Sequence, residues 1–409
     1  FVMRKTFKKG LIMKIFELNN EERRYFGLNP VLPNWERVTF KGDALREDSI
    51  LYYDGNKIKR QIISNDSKYE EKQYEENTIN KKTLLPKTDK GKEKKLTPAT
   101  FEKCRPINTY CKIENNRTIL IGNYSTQRMF YNSEFDNLEK KQIDTIKNIV
   151  SEFIETCPES YINDIDKFNS EKRKKNEYKM GDFFRFKINR TFYGFGRILL
   201  DINKIRKQKL ISEYHGLNSL AGPPVLIKIY AIISEKKDIE LELIKKQISL
   251  PSSYIMDNRL FYGDYEIIGN IKLEDNELDF PISYGRRNDH NDNVFVFLQW
   301  GLIHLELPLN KFSKYLYDDR YPMSLNPYRN YAIGFEPSYG IRDIKSALEG
   351  NNIYDTNKDW YTKFDLRSPT NKSIKNEIME TFGLNPNSSY TENSKITKTK
   401  SIFELLQFK

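Results

Sequence analysis

Cysteine, histidine and tryptophan are all scarce in this chain. Its 409 residues include only three of each. Cys104, Cys111 and Cys157 are odd in number and widely spaced, with no CxxC pair and no histidine beside them. That pattern gives no zinc site and suits free thiols in a reducing compartment. His215, His290 and His304 form no HxH or HExxH motif, so a binuclear metal hydrolase, which needs several imidazole ligands, finds no support. There is no P-loop and no GxSxG elbow. No apolar run approaches the roughly 20 residues a membrane helix needs. The basic opening FVMRKTFKKGLIM has too short an apolar part for a secretory signal. The expected location is therefore cytoplasmic, with no membrane partner. Residues 1–12 read as a leader, and the first domain is expected to begin near Met13.

What the chain does have is charge and aromatic bulk. Charged residues make up 31 % and apolar residues 38 %, polar for a globular protein, but 26 Tyr and 25 Phe supply large buried area per residue. The net charge of +11 comes from 68 basic against 57 acidic residues, interspersed. It permits a nucleic-acid or acidic-protein partner and demands neither. The densest basic run, residues 81–96, carries seven lysines around Pro86 and Gly91. It reads as a solvated loop, and no aromatic residue interleaves the lysines as single-strand nucleic-acid binding would require. Nucleic acid is not the expected partner.

Residues 181–201, GDFFRFKINRTFYGFGRILLD, organise the rest. Phe184, Phe186 and Ile188 alternate with Arg185 and Lys187, the period of a half-buried strand. Asn189-Arg190-Thr191 turns the chain. The return strand puts Tyr193, Phe195, Arg197 and Leu199 on one face, and Gly194 and Gly196 on the other. Two glycines two apart leave bare backbone that a core aromatic, a bend or a ligand must approach; core packing is the expected use.

Elsewhere, Asn19 or Asn20 caps a short helix stopped by Gly27. The pentapeptide FGLNP there recurs at residues 382–386, again after a helical run. Residues 49–64 predict a hairpin about Asp54-Gly55. Residues 67–80 are charged, with weak helical or edge-strand character. Strand character returns at 118–130. Asp136 is the expected cap of a long helix through Ile143, Ile146, Ile149, Val150, Phe153 and Ile154, and a basic linker follows at 171–175. Past residue 201, short strands are expected at 225–233, 261–268, 270–273 and 294–307, with turns at 250–256 and a loop at 289–293. Beyond Pro308, residues 341–348, 373–382 and 402–408 look helical, with Ser373 capping the second.

The fold class is therefore α+β. A mostly antiparallel β central domain, a curved sheet or barrel-like, joins a smaller α/β N-terminal domain and a helical C-terminal region. The boundaries are 13–135 for the N-terminal domain, 136–178 for the helix and linker, 179–308 for the β domain and 309–409 for the C-terminal region.

No residue is assigned a catalytic, cofactor-binding or metal-binding role, and no cofactor is expected. GFG at Gly194–Gly196 lacks the third glycine of a dinucleotide fingerprint. Asp43, Asp201, Asp264 and Asp279 adjoin strands, where solvated carboxylates are the rule. Tyr, Trp and Arg are the anchors that interfaces favour. The expected partner-binding set is Tyr193, Phe195, Arg197, Tyr262, Tyr284, Arg286, Arg287 and Trp300.

Four motifs resemble one family: GDFFRFKI, YGFGRIL at 193–199, MDNRLFYGDYEIIGN at 256–270 and DFPISYG at 279–285. The segment 179–301 is similar to the Immunity protein 26 family of bacterial polymorphic toxin systems. KIFELNNEERRYFGLNP, TLLPKTDKGKEKKLT and DLRSPTNKSIKNEIMETFGL resemble full-length bacterial proteins carrying that domain. The resemblance implies a mostly β, cytoplasmic, non-enzymatic protein. It would be encoded beside a toxin and block it by direct stoichiometric binding. Some members carry an immunity/phosphotriesterase name, so a phosphotriester hydrolase is the alternative, and a nucleic-acid-binding defence or regulatory protein the second. Nuclease inhibitors are commonly acidic, and this basic chain disfavours a nuclease target.

Overall fold

The computed structural model describes residues 16–135, 142–288, 293–317, 326–330, 337–351, 354 and 363–403. The expected leader, the Asp136 cap, most of the 289–293 loop with His290, and the end of the 402–408 helix lie outside the described residues. The chain divides into two compact units, Phe1–Arg173 and Lys174–Lys409.

The first unit is built on one antiparallel sheet. Its strands are β1 (Glu36–Phe40), β2 (Ser49–Asp54), β3 (Lys57–Ser64), β4 (Lys68–Ile79), β5 (Thr83–Leu84), β6 (Lys94–Lys95), β7 (Ile107–Glu114), β8 (Ile119–Asn123) and β9 (Arg128–Asn132). The order is β1-β2-β3-β4-β7-β8-β9, with β5 and β6 attached to β4. Helices α1 (Asn20–Tyr25), α2 (Pro98–Phe101), α3 (Ile146–Glu155) and α4 (Tyr161–Ser170) complete it. Gly55 takes a positive φ in the β2–β3 turn, as the Asp-Gly pair predicts. β2 is buried on both faces. Ile50 and Tyr52 meet the cluster that includes Ile149, Phe153, Ile165 and Phe168, while Leu51 and Tyr53 meet Tyr74 and Phe101.

Two elements here depart from the sequence reading. α3 is capped by Thr145, whose hydroxyl accepts from Asn148 N at 3.2 Å, and Ile143 precedes it at 81 % exposure. The strand character expected at 118–130 resolves into β8 and the start of β9. The charged run 67–80 is a central strand, not an edge. Its inward face holds Tyr69, Glu71 and Gln73, and a carboxylate is tolerated there because arginines converge on it. Arg23 Nε donates to Glu71 at 2.9 Å, and Arg60 and the Tyr69 hydroxyl also bond to it.

The second unit carries two antiparallel sheets. The five-stranded sheet uses β10 (Asp182–Lys187), β11 (Tyr193–Asp201), β12 (Pro224–Ile229), β13 (Ser253–Met256) and β14 (Glu266–Asn270), ordered β13-β12-β11-β10-β14. The three-stranded sheet is β15 (Ile282–Asn288), β16 (Val294–Trp300) and β17 (Ile303–Pro308) in sequence order. Helices α5 (Ile202–Lys207), α6 (Leu241–Lys245), α7 (Asn258–Phe261), α8 (Pro337–Leu348), α9 (Lys372–Thr381) and α10 (Tyr390–Ile396) accompany them. Among the described residues no sheet closes into a barrel. Residues 253–256, expected to turn, form β13. The strand expected at 261–268 begins only at Glu266, because Asn258–Phe261 is helical and Gly263 turns with φ +84°. α9 starts at Lys372, after Asn371, so Ser373 lies inside the helix rather than capping it.

The two glycines of β11 serve the core. Gly194 and Gly196 pair with Phe186 and Phe184 across the β10–β11 ladder, and a Cβ at either glycine would overlap the facing ring. Tyr265 covers the same rings, stacked on Phe184 at 5.1 Å and 4°. Close approach of an aromatic ring to bare strand backbone is what the glycine pair provides.

FGLNP does the same job twice. After α1, Leu28 N donates to Arg23 O at 3.0 Å; after α9, Leu384 N donates to Met379 O at 2.8 Å. Gly27 and Gly383 both take positive φ, and the flanking Phe and Leu are buried in each copy.

Residues 363–403 bind to the sheets of this unit through Arg367. Its guanidinium donates to both Asp279 oxygens at 3.1 Å, to Asp365 Oδ2 at 2.8 Å, and to Ser252 O and Oγ at 3.0 Å. Burial works against the Asp279 charge, but Arg367 and the Ser252 bonds outweigh it and hold the carboxyl below its usual range.

Candidate functional site

Strand alternation gives the β15–β16–β17 sheet two unlike faces. Ile282, Tyr284, Val296, Leu298 and Ile303 enter the core. Ser283, Gly285 and Arg287, with Phe297 and Gln299, and with His304 and Glu306, share the other face by cross-strand register. The segment 326–330 runs beside β15, where Tyr284 N donates to Tyr328 O at 3.1 Å. Asn326 Oδ1 accepts from Arg286 N at 2.7 Å, Asn330 N donates to Ser283 Oγ at 3.1 Å, and the Arg329 guanidinium sits 5.8 Å from the Phe297 ring centre. Gly285 leaves room for Asn326, whose Cβ lies 3.1 Å from where a Cβ of residue 285 would be.

His304 is held from both sides. Nδ1 lies 2.9 Å from Gln299 Oε1, and Nε2 lies 3.0 Å from Glu306 Oε1. Gln299 donates its amide hydrogens to Gly301 O and Ile303 O, so its oxygen faces the imidazole and Nδ1 carries a proton. Burial lowers the His304 pKa; Glu306 opposes that and Arg287 adds to it. Arg287 Nε stands 2.7 Å from the same Glu306 oxygen, its NH1 group donates to Tyr214 O at 2.6 Å, and its guanidinium lies 5.5 Å from the Tyr214 ring centre.

His215 stands next to His304, with ring centroids 5.2 Å apart. Its Nε2 donates to Leu302 O at 3.0 Å and its Nδ1 accepts from Leu217 N at 3.2 Å. Burial pulls its pKa down to about 4, with His304 adding a smaller push, so the ring is neutral. Both nitrogens are engaged, leaving neither lone pair for a metal. Among the described residues no group of three or more His, Cys, Asp or Glu side chains is placed to hold one.

The residues expected at a partner surface fall into two sets. Tyr284, Arg286, Arg287 and Trp300 belong to this sheet, with Tyr284 buried and the other three half-buried. Tyr193, Phe195 and Arg197 belong to β11 and are buried. Arg197 lies over the Phe183 ring at 4.6 Å, pairs with Glu277 and donates to Ile271 O at 2.5 Å. Tyr262 ends α7 and is half-buried. The structure therefore does not bring all eight together. The four aspartates have separate local partners: Asp43 with Arg46, Asp264 with Arg259, Asp279 with Arg367, and Asp201 as the cap of α5. Sequence reasoning missed the His215–His304–Glu306–Tyr214 cluster. The alternation of His304 and Glu306 was visible, but His215 comes from a distant loop. His304 has only 10 % of its side chain exposed.

The arrangement can recognise a partner. Tyr214, at 49 % exposure, and Arg287 offer a ring and a cation, and Glu306 offers a carboxylate beside them.

Residues 179–293 match the family model described as Immunity protein 26, the family that the four motifs resemble. The match takes in β10 to β15 and stops before β16. It implies an immunity protein of a toxin system. No curated protein and no solved structure matches the chain. No helix among the described residues is long and apolar enough to cross a membrane.

Proposed function

We propose that this chain neutralises a cognate toxin, the product of an adjacent gene, by direct stoichiometric binding in the cytoplasm, and breaks no bond itself. The match of residues 179–293 to the Immunity protein 26 model carries this reading. Neutralisation calls for a tight complex, with an interface of roughly 1,600 Å². Among the expected contact residues, the half-buried Tyr262, Arg286, Arg287 and Trp300 would touch the toxin. Tyr193, Phe195, Arg197 and Tyr284 would support them from the core.

The test is co-expression of the neighbouring gene product with and without this chain, followed by co-purification. Restored growth together with a stable one-to-one complex is the expected result. Undiminished toxicity and no complex would remove the proposal.

A further inference from the structure

Among the described residues β17 is the last strand of its sheet, and no strand pairs with its outer edge. Beyond the ladder to β16, no backbone hydrogen bond involves His304, Leu305 or Glu306 among the described residues. The tight turn at Gly301-Leu302 makes Trp300 and Ile303 a hydrogen-bonded pair. Antiparallel ladders alternate, so Leu305 is bonded inward to Leu298, and the N–H and C=O of His304 and Glu306 point away from the sheet. The usual guards of an edge are thin here: no lysine and no bulge, with a proline only at the last position, Pro308. The other edges of this unit differ. β13 is four residues long, and β14 is broken by a register slip and by Gly269.

We propose that β17 pairs with β17 of a second copy of this chain, antiparallel about a two-fold axis at Leu305. The sequence Ile303-His304-Leu305-Glu306-Leu307 is complementary to itself in that register. His304 falls opposite Glu306 of the second copy, both with outward backbone groups, so four backbone bonds form. On the polar face each imidazole, already engaged through both nitrogens within its own copy, stands beside the second copy's Glu306 with no like charge directly opposite. On the other face Leu305 meets its own copy and Ile303 meets Leu307, extending the core face on which Leu305 and Leu307 are only partly buried. The neighbouring registers of the same parity are worse. Centring on Glu306 sets carboxylate against carboxylate and brings Pro308, which has no N–H, opposite His304. Centring on His304 sets imidazole against imidazole and Glu306 against the turn.

Light scattering of the full chain over a wide concentration range tests this, and a doubled mass is expected. Glu306→Pro removes an outward N–H without touching the β16 ladder, and it should weaken the dimer at least about tenfold with an unchanged far-UV spectrum. Leu305→Cys should cross-link to its own copy on oxidation, whereas Leu307→Cys and the unaltered chain should not. A chain that stays monomeric at every concentration overturns the proposal, as does a dimer that a folded Glu306→Pro variant leaves intact. If the chain is monomeric and Glu306→Pro weakens toxin binding while Glu306→Gln does not, the edge takes a toxin strand and the proposal also fails.

Discussion

The ring of Phe184 lies across Gly196, its cross-strand partner, and Tyr265 stacks on that ring at 5.1 Å. Any side chain at residue 196 must displace an aromatic that is itself clamped. Gly196→Val should destabilise the second unit by about 2 kcal/mol. Denaturant unfolding measures it, and Phe184→Leu in the Gly196→Val background should recover part of the loss.

Arg367 is buried among Asp279, Asp365 and Ser252. Arg367→Met leaves Asp365, which is 5 % exposed, without its cation, at a cost of about 3 kcal/mol. Arg367→Lys should rescue little, because an ammonium cannot reach three acceptors in the plane of a fork. Thermal unfolding of both variants decides it.

His215 makes stability depend on pH. Its folded pKa of about 4 lies below its ordinary 6.5, so the unfolded chain binds a proton that the folded chain refuses between those values. Its contribution is whole above pH 6.5 and is lost as the pH falls towards 4, about 3 kcal/mol in all. His215→Gln should flatten the slope of unfolding free energy against pH across that window. An unchanged slope would show that another group is responsible.

Tyr214 is half exposed beside the half-buried Arg287 of the polar face. Tyr214→Ala should leave the unfolding midpoint nearly unchanged yet weaken the toxin complex by about 1–2 kcal/mol. Calorimetric titration of the purified partners reads both the affinity and the ratio.

Local chemistry was legible in the sequence where short-range rules decide the outcome. The Asp54-Gly55 turn, the bare backbone at Gly194 and Gly196, and the two FGLNP helix stops all follow from residues within a few positions of one another. What escaped was decided by distant partners. β4 reads as a polar surface run because Glu71 looks solvated, and only Arg23 and Arg60, folded in from elsewhere, make a central position tolerable for it. His215 and His304 are separated by most of the second unit's sheets in sequence, so no spacing rule could pair them. The partner surface was half legible. Aromatics and arginines were singled out by type, but type does not tell Phe195, sealed in the core, from Tyr214, half in solvent.

The Arg367 cluster also bears on how the chain can be cut. Residues 179–293 carry the family likeness, but the core they enter is completed by residues outside them. Ile282 and Tyr284 share a core with Phe364, Ile378 and Phe382, and Asp279 pairs with Arg367, all far downstream. Excising the matched segment would strip a wall from its interior and strand an acid without its counter-ion. The fragment should collapse into aggregates, while one running from Lys174 through residue 403 should stay in solution.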